Sequence, residues 1–213
     1  MIRRIIKKLL SHDEAVNKEP TENKIVVMSG GTPPPEPDLR VVGLFSEVVD
    51  EKITEIIHGL LYMNEMNKLE EDPKNKRDIE FYLSTYGGSA DDMFALYDMM
   101  KIVEKDTDIV TIGMGKVMSA GVLILAAGTK GKRQIGRNCR VMIHSVIAGN
   151  HGSLPNLINE MEAIQDLQDL YIERLVEETN MTKKQMKKLL EQKVNIYLSA
   201  EEAVKYGIAD IIV

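Results

Sequence analysis

The sequence predicts an α/β domain with a largely parallel sheet over residues 39–213, preceded by an N-terminal arm over residues 1–38. Two observations carry that reading. From Arg40 onward, short apolar runs of strand length alternate with stripes of helical period, the pattern of repeated strand–helix units. Ahead of Arg40 the chain is polar, and four of its seven prolines crowd into positions 33–37. Such a run favours an extended polyproline conformation and continues neither a helix nor a central strand.

Val41 to Phe45 reads as the first strand, and Asp50 is placed to cap a helix whose stripe is Ile53, Ile56, Ile57, Leu60 and Leu61. Ile79 to Ser84 is a strand leading into Thr85-Tyr86-Gly87-Gly88. Met93, Leu96, Met99, Met100 and Val103 mark the next helix. Ile109 to Met114 is a buried strand that passes through a glycine-bearing turn into an apolar helix over 119–127. Arg133 to Ile135 and Val141 to His144 are further strands. Leu157, Ile158, Met161, Ile164, Leu167, Tyr171 and Leu175 line one face of a long helix with Pro155 near its start. Thr182 with Gln185, and Ser199 with Glu202, form capping boxes that open the last two helices. Gly207 ends the second of these, and Ile208 to Val213 closes the chain as a strand.

Composition narrows the function classes. At 213 residues and 44% hydrophobic, the chain can bury a sizeable core and is not disordered throughout. Cys139 is the only cysteine, which excludes an internal disulfide scaffold. The net charge of −6 disfavours a nucleic-acid partner, which asks for a basic face. That sum divides unevenly: Arg3, Arg4, Lys7 and Lys8 give the first ten residues +4, leaving −10 on the rest. The longest apolar stretch, Ala120 to Gly128, has nine residues, whereas a membrane span takes about 20. Ile2, Ile5, Ile6, Leu9 and Leu10 fall at helical spacing opposite the basic residues. This short amphipathic helix reads either as a removable leader or as a docking element for a partner or a membrane surface.

Function in α/β sheets concentrates where strands end and helices begin. Two such junctions stand out. At Gly87-Gly88, paired glycines permit backbone angles that other residues resist. In Gly115-Lys-Val-Met-Ser119-Ala-Gly121, a serine sits at the passage from strand to helix. A nucleophile suits that place, because adjacent backbone donors can take up charge on a tetrahedral intermediate. A serine that merely caps a buried helix fits it as well, and the string is not the Gly-x-Ser-x-Gly elbow. His144 ends the apolar strand Val141-Met-Ile-His, where a polar ring is unexpected unless something uses it. Cys139 lies at no turn, Asp210 is placed to organise the last turn, and His12, His58, His144 and His151 show no zinc spacing.

In order and spacing, several strings resemble the proteolytic subunit of the caseinolytic (Clp) protease, the peptidase of an ATP-dependent system. They are Tyr-Leu-Ser-Thr-Tyr-Gly-Gly, Ala-Leu-Tyr-Asp-Met-Met, Gly-Met-Gly-Lys-Val-Met-Ser-Ala-Gly, Gly-Lys-Arg, Arg-Val-Met-Ile-His and Tyr-Leu-Ser-Ala-Glu-Glu-Ala-Val-Lys-Tyr-Gly-Ile-Ala-Asp. The resemblance runs from about Arg40 to the C-terminus. It implies a crotonase-like (ClpP-type) fold of ββα units with a protruding helical handle, supplied by residues 155–179. It also implies Ser119 as nucleophile, His144 as general base, and the backbone amides of Gly88 and Ala120 as oxyanion hole. The third catalytic position, four residues before Ser199, is usually aspartate in this family; here it is Asn195. Asparagine can accept the Nδ1–H of histidine but supplies no charge to the imidazolium. Tyr86 stands where a proline usually precedes the glycines, and Ser145-Val146 where Gln-Pro usually follows the histidine.

The resemblance therefore implies a cytoplasmic serine endopeptidase that cleaves unfolded polypeptides, with reduced or conditional activity because of Asn195. Its partners would be further copies in stacked seven-membered rings, an AAA+ unfoldase and a paralogous Clp subunit. The arm would gate the axial pore or be cut away. No metal or organic cofactor is expected, and with no Walker loop in the sequence ATP would belong to the unfoldase. Two other functions fit the same residues: a regulatory subunit in a mixed ring, favoured by Asn195, and a crotonase-like acyl-CoA enzyme holding a thioester oxyanion at Gly88 and Ala120.

Overall fold

The computed structural model describes residues 39–191 and 195–213; the amphipathic start and proline run of the arm lie outside the described residues. Seven strands form one sheet: β1 (Val41–Leu44), β2 (Ile79–Thr85), β3 (Ile109–Met118), β4 (Gln134–Ile135), β5 (Arg140–Ile143), β6 (Ile196–Leu198) and β7 (Ile211–Ile212). Strands β1, β2, β3, β4 and β7 lie side by side, all parallel. Strand β5 pairs with β3 in parallel, and β6 adds to β5 antiparallel. The described helices are α1 (Asp50–Leu69), α2 (Ala90–Val103), α3 (Ala120–Ala126), α4 (Leu154–Glu178), α5 (Lys183–Glu191) and α6 (Ala200–Lys205). Among the described residues no helix is long and apolar enough to cross a membrane.

The long strand β3 organises the rest. The sequence suggests a stop at Met114 and a turn at Gly115, but the strand runs on to Met118 with Gly115 inside it at φ +65°. The register against β2 shifts there, from Leu83↔Gly113 to Thr85↔Val117. A glycine in a strand interior marks such a bulge, where the strand bends. The two halves of β3 consequently have different neighbours: Ile112 and Gly113 pair with β4, whereas Lys116 to Met118 pair with β5. The bend delivers the end of β3 beside the end of β5.

Helix α3 is buried at every position, as its unbroken apolar sequence requires. Leu123, Ile124 and Leu125 are fully buried with Phe81, Leu83 and Val117 of the sheet, each such side chain contributing about 1.5–3 kcal/mol relative to exposure. Helix α1 buries Ile53, Ile56, Leu60 and Met63, extending the stripe by a turn. Its first residue is Asp50 and its N-cap Val49, so Asp50 does not cap it; Asp50 and Glu51 instead bring negative charge to the first turn. Helix α4 has two characters. Its second half buries Tyr171, Ile172, Leu175 and Glu178, while Leu154, Ile158 and Met161 of the first half are exposed.

Both capping boxes form. Gln185 N–H donates to Thr182 Oγ1 and Thr182 N–H to Gln185 Oε1, and Ser199 and Glu202 exchange the same pair. The last strand is shorter than its apolar run: only Ile211 and Ile212 pair, because Asp210 is drawn back to Arg133. Buried Arg133 makes two bonds to the Asp210 carboxylate, at 2.8 and 2.6 Å. It also reaches the carbonyls of Ala126 and Glu178, tying the ends of α3 and α4 to the chain terminus.

Candidate active site

Ser119 follows the last residue of β3 and precedes the first of α3. Its N–H donates to Met142 O of β5 at 2.8 Å, continuing the ladder that pairs Met118 with Met142. His144 lies one residue beyond the end of β5. Serine and histidine therefore stand at the carboxyl ends of neighbouring parallel strands, where α/β sheets place their ligands.

Ser119 adopts φ 54°, ψ −124°, the one positive φ of a non-glycine residue among the described residues. Such a conformation costs on the order of 1–3 kcal/mol and persists only where the surroundings over-determine it. The sharp strand-to-helix turn of a nucleophile elbow is thus present without the Gly-x-Ser-x-Gly string. The serine side chain makes no capping bond to α3, so it is not spent on the helix end. Two contacts hold its carbonyl: Val122 N–H donates to it at 2.9 Å and Tyr171 O–H at 3.1 Å. Burial pushes the Tyr171 phenol well above its ordinary range, which keeps it a donor.

The paired glycines arrive from the end of β2. Gly87, at φ +99°, lies against the serine so closely that a Cβ there would sit 2.6 Å from Ser119 Cβ. Val48 N–H donates to Gly87 O, and Ser89 N–H donates to Val48 O. In the trans peptide between Gly87 and Gly88 the C=O and N–H point in opposite directions, so with Gly87 O turned to Val48 the Gly88 N–H points away from it. Ala120 N–H opens α3 and has no partner within the helix.

Gly88, Ser119, Ala120 and His144 line one cavity of about 500 Å³. Met93, Phe94, Ile164 and Leu167 supply apolar wall. Exposed Tyr86 is part of the lining, and the Lys116 ammonium lies 4.6 Å from its ring centre, a cation–π contact beside the serine.

Asn195 is not part of that lining. The β5–β6 register pairs Ile143 with Ile196, and one step further sets Asn195 opposite His144. Its side chain is exposed, and among the described residues no hydrogen bond joins it to His144. His144 Nδ1 instead lies 2.6 Å from Ser145 O. That carbonyl can only accept, so it selects the tautomer with hydrogen on Nδ1 and leaves Nε2 free to take a proton.

Other candidates lie elsewhere. Cys139 is buried away from the cavity, and burial pushes its thiol up to about 11. His58 and His151 are exposed, and among the described residues no group of three His, Cys, Asp or Glu could hold a metal ion. The sequence offered no sign of Tyr171 beyond a phenol on an otherwise apolar stripe, and none of Gln168; only with α4 folded in place does Tyr171 O–H donate to Ser119 O and Gln168 Oε1 accept from Val146 N–H.

The family model described as Clp protease matches residues 38–213. The ATP-dependent Clp protease proteolytic subunit 1 of Leifsonia xyli subsp. xyli is 36% identical over 171 residues, covering 80% of this chain and 81% of the relative. Subunit 2 of Bifidobacterium longum is 31% identical, with 82% and 79% of the two chains covered. Subunit 1 of Prochlorococcus marinus is 32% identical, with 81% and 83% covered.

Proposed function

The chain belongs to the Clp protease family, and from that premise we propose that it is a proteolytic subunit with Ser119 as nucleophile and His144 as general base. The observation that carries the proposal is the backbone bond from Ser119 to Met142. It sets a strained serine and a tautomer-fixed histidine at adjacent strand ends, on one cavity.

In the proposed reaction, Ser119 Oγ attacks the scissile carbonyl carbon while its proton passes to His144 Nε2. The carbonyl electron pair moves onto oxygen, which the Gly88 and Ala120 N–H groups receive. Collapse of the intermediate breaks the C–N bond; His144 returns the proton to the leaving amine, and the acyl group stays on Ser119. Water, giving a proton to the same imidazole, then releases the acid and restores the serine. The apolar wall suits an uncharged side chain of an unfolded polypeptide. Seven-membered rings stacked face to face would enclose the sites, and an AAA+ unfoldase would supply the substrate.

In this reading Asn195 stands at the position where the family usually has an orienting aspartate, and it lacks the charge that an aspartate brings to the imidazolium. The missing His144–Asn195 bond favours a second reading, a regulatory subunit that shares its ring with an active paralogue. Cleavage of an unfolded polypeptide by the assembled protein decides between them. The peptidase reading expects measurable cleavage that Ser119→Ala and His144→Ala each reduce by at least about 10³-fold. Cleavage no faster in the parent than in Ser119→Ala would leave the regulatory reading.

A further inference from the structure

We propose that Gln168 is a positioning residue for His144, acting through the Ser145–Val146 peptide. The inference rests on the reading of His144 as the base for Ser119.

No regular element orients the chain beyond β5: residues 144–153 are neither strand nor helix. One peptide unit is nevertheless held at both ends. Its carbonyl, Ser145 O, lies 2.6 Å from His144 Nδ1, and its amide, Val146 N–H, donates to Gln168 Oε1 at 3.0 Å. A trans peptide is planar, with C=O and N–H pointing in opposite directions. Fixing the N–H therefore aims the C=O, and Gln168 decides where the acceptor for the histidine stands.

Gln168 itself is well anchored. It lies on α4 one turn before Tyr171, on the same face at i and i+3. Tyr171, Ile172 and Leu175 bury that part of the helix in the core. Tyr171 holds the carbonyl of Ser119, so one face of α4 braces the backbone beside both members of the pair. The relay supplies orientation and tautomer, as an orienting group must, but brings no negative charge to His144. It depends on an N–H at position 146, which a proline would lack.

Three variants of the full-length assembled protein test this: Gln168→Leu, Val146→Pro and Gln168→Glu. Two readouts apply, the rate of Ser119 labelling by a fluorophosphonate and the tautomer of His144. The latter comes from histidine ¹⁵N solid-state NMR, assigned with His144→Gln. Gln168→Leu and Val146→Pro remove the same bond from opposite sides. Each should slow labelling by about tenfold, the worth of one hydrogen bond, and shift His144 from a single Nδ1–H tautomer to a mixture. Gln168→Glu keeps an acceptor and should retain the parent tautomer. Adding Asn195→Asp to Gln168→Leu should restore the rate, because a carboxylate facing His144 replaces the relay. A Gln168→Leu protein with the parent rate and the parent tautomer overturns the inference while leaving the peptidase reading intact. A parent that takes no label at Ser119 overturns the peptidase reading, and the tautomer measurement still decides the role of Gln168 because it needs no turnover.

Discussion

Ser119 keeps its unusual backbone conformation because neighbours from three elements leave it no other: Gly87 against its Cβ, Met142 on its N–H, and Tyr171 on its carbonyl. Gly87→Ala tests that account. An alanine at φ +99° is strained in its own right, and its Cβ would press on Ser119 Cβ and on Met118 O, 2.8 Å away. The variant should lose about 2–3 kcal/mol in denaturant unfolding, with a slower reaction at Ser119. Parent-like stability and labelling would mean the turn is not held from Gly87. Asn195→Asp tests the second departure. In the serine-protease template, the change from Asp to Asn costs about 10⁴ in turnover. The reverse change should raise peptide turnover here, by less than that factor because Ser145 O already holds Nδ1–H. A variant no faster than the parent in an assembled particle contradicts the orienting role of position 195. The candidate serine and histidine were singled out in the sequence, Ser119 at the passage from a strand into a helix and His144 at the end of an apolar strand. The strain at Ser119 was not, since it depends on a glycine 32 positions earlier meeting the serine in space.

Among the elements, β3 departed furthest from its sequence pattern. Gly115 and the exposed Met114 end the apolar run, so local reasoning stops the strand there; the pairing of Lys116 to Met118 with β5 carries it on. Tertiary pairing decided a point that local propensity had left to glycine. The helices were easier, because stripes such as Met93, Leu96, Met100 and Val103 report burial directly. The end of the chain is held by Arg133 and Asp210. Burial alone would raise the Asp210 carboxyl, but the Arg133 guanidinium and the N–H groups of Arg133 and Gly131 outweigh it and hold the carboxyl below its ordinary range. A carboxyl depressed in the folded state adds stability above its unfolded value and loses it as pH falls through about 4 and below. Arg133→Leu strands Asp210 and two carbonyls, and should cost about 3 kcal/mol near neutral pH. Thermal unfolding of parent and variant should show that gap narrowing at about pH 3. A gap independent of pH would show that the charge pair is not what Arg133 contributes.

At the scale of the whole molecule, the family was the most legible feature, since membership depends on the order of many short strings and not on any one of them. The sheet follows from those strings, and the sheet brings β2, β3 and β5 together at their carboxyl ends. The cavity was not legible, because its wall combines Met93 and Phe94 of α2 with Ile164 and Leu167 of α4, elements some seventy residues apart. The exposed apolar residues Leu154, Ile158 and Met161 on α4 suit a particle in which subunits cover one another, as the proposed stacked rings would. The proposed peptidase activity depends on Ser119 acting as a nucleophile activated by His144. Mass mapping of a fluorophosphonate adduct on the assembled protein tests it most directly. A single adduct is expected, on Ser119, absent from Ser119→Ala and much slowed in His144→Ala. An assembled particle in which Ser119 stays unmodified, or reacts as fast without His144, would contradict it.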